Sequence, residues 1–144
     1  MDGVVTHQSS SEDRLFVQRF ESCELPPPFS HRDHVRLAYV QLTGSDVRVA
    51  YDAIKPSLLR YIAHYGADPQ KYHETLTRAW LMAVRHFMAI SPPADSADSF
   101  LREQPRLLNS TIMLEHYSSE RLFSQEARAR FLEPDLLPIP EYAT

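Results

Sequence analysis

Seven histidines occur in this chain, and four of them stand in three short polar motifs: HRDH at 31–34, YHET at 72–75 and EHY at 115–117. His34, His73 and His116 each fall on the apolar face of a different expected helix. Helices that bury those faces would aim three imidazoles at one interior. Neutral imidazole binds transition metals and exchanges protons near neutral pH. His31 stands three residues before His34 and so shares its helix face. Both lie in a first turn, where the positive end of the helix disfavours imidazolium. The expected metal set is therefore His31, His34, His73 and His116.

Around these imidazoles stand groups that could act on a substrate. Glu74, Thr77 and Arg78 follow His73. Thr77 lies one turn along on the same face, whereas Glu74 points about 100° away around the helix. The stretch is not a zincin helix, which needs a second histidine four residues after the first; here that position is Thr77. Arg32 and Arg36 could hold an anionic substrate through bidentate guanidinium contacts, and Tyr117 could donate a hydrogen bond. The competing reading makes the histidines hydrogen-bonded core groups and the charged residues solvated ion pairs.

These residues need helices to position them. Eleven prolines against three glycines, with no sustained alternation of apolar and polar residues, predict helices separated by proline-containing loops. Helices are expected over about 12–23, from Ser30 to Leu42 behind a Ser30–Asp33 capping box, and over 45–65 with Pro56 kinking or dividing it. The next runs from Asp68–Pro69 to before Pro92, with His73, Leu76, Thr77, Trp80, Val84 and Phe87 inward. Shorter helices are expected over about 96–104, 107–117 and 124–131. The expectation is all-α: a single compact bundle of about five to seven helices over 11–140, preceded by a disordered 1–10. An extended Pro-rich C-terminal tail would wrap the surface.

Composition excludes several classes. Net charge is −4, with no basic arm for nucleic acid. One cysteine, Cys23, excludes an internal disulfide and a cysteine-based zinc site. No apolar run approaches the roughly 20 residues of a membrane span, and residues 1–11 carry no apolar signal core. The expected location is cytoplasmic, with no nucleic-acid or membrane partner. A homodimer through Leu136, Leu137 and Ile139 is left open.

The stretches FSHRDHVRLAYV (29–40) and YHETLTRAW (72–80), with the closing Ala127–Pro140, resemble a family of small bacterial all-helical proteins. The likeness covers roughly residues 12–140. It implies a stand-alone domain and carries over no activity or ligand.

Three readings remain open. The first is a small metal-dependent enzyme, with one divalent iron, zinc, copper or nickel ion between the helices and an open position for a small, anionic substrate. The second is a metal-free lyase or isomerase using histidine and Glu74 as acid and base. The third is a non-catalytic ligand-binding or interaction module.

Overall fold

A computed structural model describes residues 6–142, and among them every regular element is helical. The α-helices are α1 (Ser11–Glu21), α2 (His31–Leu42), α3 (Val47–His64), α4 (Glu74–Ala89), α5 (Ala97–Glu103), α6 (Ser119–Leu122) and α7 (Gln125–Ala129). Short 3₁₀ turns cover Pro69–Lys71, Pro105–Leu108 and Ser110–Glu115. None of the described helices is long and apolar enough to cross a membrane. The expected disorder over 1–10 falls for residues 1–5 outside the described residues. Within 6–10, the backbone N–H of Gln8 donates to the Ala94 carbonyl, and His7 donates from Nε2 to the Met88 carbonyl.

Local sequence sets the helix starts. Ser10 with Asp13, and Ser30 with Asp33, form reciprocal capping boxes at α1 and α2. Asp46 caps α3, and Ser96, Ser118 and Ser124 cap α5, α6 and α7. Gly44 adopts φ 74° just past α2, which glycine tolerates without a Cβ penalty.

Three boundaries differ from the sequence expectation. Pro56 sits inside α3, which continues through it from Val47 to His64. The stretch expected as one helix over 107–117 is instead two 3₁₀ turns flanking Asn109. Pro69 opens only a three-residue 3₁₀ turn; Tyr72 is extended, and α4 begins at Glu74 with His73 as its N-cap.

Helices α2, α3 and α4 pack against one another, with α1 across α2 and α3 and α7 against α4. Phe20, Val35, Tyr39, Val84, Phe100 and Leu107 are fully buried at the centre, each such side chain contributing roughly 1.5–3 kcal/mol of transfer free energy. Tyr39 and Phe100 stack with ring centroids 4.7 Å apart. A second cluster joins Ala79 and Ala83 of α4 to Met113, Tyr117, Leu122 and, beyond α7, Ile139. Ile139 is buried there, and the Leu136 N–H donates to the His116 carbonyl.

Candidate functional site

A cavity of about 470 Å³ opens between α2, α3, α4, the Ser110–Glu115 turn and α6, within the size range of small-molecule sites. Its walls are mainly apolar: Leu37 and Ala38 from α2, Ile54, Leu58 and Ile62 from α3, Leu76 and Trp80 from α4, and Met113 and Leu122 opposite. Leu114 (38% exposed) and Phe123 (58%) stand at its rim. The polar side chains on the wall include His31, His34, Tyr72, His73 and Thr77, with Lys71, Ser110 and Thr111 on exposed positions.

Three of the four expected metal ligands thus reach one cavity, but their nitrogens are not equally free. His73 is 6% exposed. Its Nδ1 accepts the Leu76 N–H at 3.1 Å, capping α4, and its Nε2 donates to the Leu122 carbonyl at 2.8 Å. Both ring nitrogens are engaged, Nδ1 in capping α4 and Nε2 in tying its start to α6. Burial pushes its pKa down, with the Leu122 carbonyl opposing. His31 donates from Nε2 to the Leu107 carbonyl at 2.8 Å, and its ring packs edge-on against Trp80. A carbonyl can only accept, so Nε2 carries a proton, and Nδ1 makes no hydrogen bond among the described residues.

His116 does not join them. It ends the 3₁₀ turn, donates from Nδ1 to the Leu137 carbonyl at 2.7 Å and lies away from the cavity. Among the described residues no three His, Cys, Asp or Glu side chains stand close enough to hold a metal ion. The four expected ligands are therefore not brought together: His116 lies away from the cavity and both His73 nitrogens are bonded, which leaves His34 and one nitrogen of His31.

His34 is different. Its ring packs edge-on against Phe29 at 4.6 Å, and neither nitrogen has a hydrogen-bond partner among the described residues. The residue is exposed, and its ring lines the cavity beside Phe29. Desolvation lowers its pKa from the ordinary 6.5 to about 4, helped by neighbouring His31 and opposed by Asp33. The imidazole is thus neutral at pH 7. Because the folded value lies below the unfolded one, stability is full above about pH 6.5 and is lost as pH falls toward 4. An NMR titration of the His34 ring is expected to give a midpoint near 4; a midpoint at or above 6 would contradict the desolvated setting.

The residues expected to be catalytic separate. Thr77 lines the cavity, and its hydroxyl donates to the His73 carbonyl at 2.8 Å. Glu74 does not line it. The Glu74 carboxylate, 6% exposed, accepts from Tyr51 at 2.5 Å, Tyr72 at 2.8 Å and Lys55 at 3.0 Å. Burial opposes its ionisation, but these three donors outweigh burial and hold its pKa below the usual value. Arg78 is exposed, its guanidinium 4.3 Å over the Phe131 ring.

The three residues expected to bind substrate also lie elsewhere. Arg32 pairs with Asp98 and Arg36 with buried Asp13, and Tyr117 is fully buried with its hydroxyl on the Leu132 carbonyl at 2.7 Å. Their partners Asp98, Asp13 and Leu132 are 66, 23 and 15 residues away in sequence, so no local pattern reveals them. Sequence reasoning placed Trp80 in the core and missed the rim residues Leu114 and Phe123. The only local signal for that pair is apolar side chains in short polar turns. No protein-family model, curated protein or solved structure matches this chain.

Proposed function

We propose that this chain binds a small, largely apolar molecule in the cavity between α2, α3 and α4, with His34 as its polar anchor. The observation that supports this most is an unpartnered, neutral imidazole facing an apolar space of about 470 Å³. Ligand sites combine such apolar walls with a few orienting polar groups. Binding is favoured over proton transfer by magnitude. A base with a pKa near 4 gains little from taking a proton at neutral pH, where general bases work best near 7. Glu74, the partner that an acid–base pair would need, is held by Tyr51, Tyr72 and Lys55 instead.

The test is saturable binding of N-phenyl-naphthylamine, an uncharged probe whose fluorescence rises in apolar sites. Binding is expected at about one probe per chain and is expected to weaken about tenfold or more in His34→Trp, which narrows the cavity and removes the imidazole. His34 makes no side-chain hydrogen bond among the described residues, so that variant should melt at or above the parent's temperature. Non-saturable binding, or full binding by a folded His34→Trp, would overturn the proposal.

A second reading keeps a divalent transition metal, supported by His31 and His34 sharing one cavity with nitrogens not bonded to protein. Elemental analysis of untagged protein decides it. Near-stoichiometric metal that disappears in His34→Trp supports this reading. Metal-free protein after supplementation with iron, zinc, copper and nickel removes it.

A further inference from the structure

The polar residues on the cavity wall have mostly engaged their protons inside the protein. Tyr72 donates its hydroxyl proton to Glu74, Thr77 donates to the His73 carbonyl, and His31 donates from Nε2 to the Leu107 carbonyl. Each keeps lone pairs: the tyrosine and threonine oxygens and His31 Nδ1. His73 keeps nothing, since both its nitrogens are bonded. Neutral His34 offers one acceptor and one donor, and the Trp80 indole offers a donor. Thr111 donates its hydroxyl to Asn109, and Lys71 and Ser110 stand on the exposed rim. The interior is thus richer in acceptors than in donors. No carboxylate lines it to balance a cation; of the lysines and arginines only Lys71 lines it, and that residue is exposed at the rim rather than inside.

We infer that the cavity selects an uncharged, mostly apolar molecule carrying a hydrogen-bond donor, such as an alcohol, a phenol or an amide N–H, over the matching ether, ketone or carboxylate. This rests on the reading of the cavity as a binding site. A donor meets the lone pairs of Thr77, Tyr72, His31 or His34. An ether or ketone oxygen set against those lone pairs gives up its water without replacement. A carboxylate adds a charge that only Lys71, at the exposed rim, could meet, so its burial against the lone pairs inside is disfavoured.

The experiment compares para-propylphenol, its methyl ether and para-propylbenzoate, each by calorimetric titration and by displacement of N-phenyl-naphthylamine. Hydrophobic transfer alone ranks the ether above the phenol, because the ether adds a methyl and buries no O–H. The expected result is the reverse, with the phenol about tenfold tighter than the ether and the benzoate weakest. In Thr77→Val, which keeps the side-chain shape, the gap between phenol and ether is expected to shrink. Ether binding equal to or tighter than phenol, or tightest binding by the benzoate, overturns the inferred selectivity while leaving the binding reading in place. An unchanged gap in Thr77→Val overturns the part assigned to that hydroxyl. Failure of all three compounds, together with failure of the naphthylamine, overturns the binding reading itself.

Discussion

Replacing Asp13 with alanine is expected to lower folding stability by about 3 kcal/mol, the lower end of what breaking a buried ion pair costs. Asp13 is 2% exposed. One carboxylate oxygen accepts the Ser10 N–H at 3.0 Å and the Ala97 N–H at 2.9 Å, and the other accepts Arg36 Nε at 3.0 Å. One side chain thus ties the start of α1 to the start of α5 and to the middle of α2. The lower end applies because Arg36 is 27% exposed and recovers water once its partner is gone. Burial opposes ionisation of Asp13, but the Ala97 and Ser10 N–H groups and the Arg36 guanidinium outweigh it and hold the pKa below 3.8. The resulting stability is present above the unfolded value of about 3.8 and is lost as pH falls through the folded one. Urea unfolding of Asp13→Ala and Asp13→Asn across pH checks both points. A loss under about 1 kcal/mol in Asp13→Ala would show that the three bonds add little beyond what water provides.

The second large effect concerns Glu74. Glu74→Ala is expected to cost about 2–3 kcal/mol, because the Tyr51 and Tyr72 hydroxyls lose their acceptor and Lys55 its counter-charge. The value sits below the full cost of a broken buried pair because the Lys55 side chain is 38% exposed. The same variant is expected to bind N-phenyl-naphthylamine within about twofold of the parent, as for a residue outside the cavity wall. Denaturant unfolding and the dye titration read the two effects separately. A stable variant that lost the dye would return Glu74 to the site.

Glu74 also marks where the sequence stops being readable. Its motif, YHET, suggests chemistry, but its roles are set by Tyr51 and Lys55, 23 and 19 residues upstream on α3. Only the packing of α3 on α4 brings them together. The same holds for Arg32 and Arg36, whose carboxylate partners sit on α5 and α1. What was legible is what helical spacing dictates. His31 and His34 lie one turn apart, Thr77 lies one turn from His73, and all four line one cavity. The cap at Ser30 was legible for the same reason, since a capping box is a four-residue pattern.

The start of α4 was not. Asp68–Pro69 is a strong start signal and does open a turn, but a 3₁₀ turn of three residues. The α-helix waits for His73, whose imidazole takes the capping role usual for Ser, Thr, Asp or Asn. That role depends on a ring nitrogen reaching the Leu76 N–H while the other ring nitrogen reaches Leu122. Nothing in the residue types announces it.

The cavity also bears on how this sequence can drift. An accessible imidazole without a partner, set beside Phe29 and facing apolar walls, is a poor choice for stability alone. Leucine or tryptophan at position 34 would bury more apolar surface and leave no ring nitrogen to desolvate. Substitutions that stabilise by filling a space are easy to reach, and their recurrent cost is lost function. In a lineage released from any ligand, position 34 is where mutation would close the fold first, and a retained histidine there would record continued use of the space.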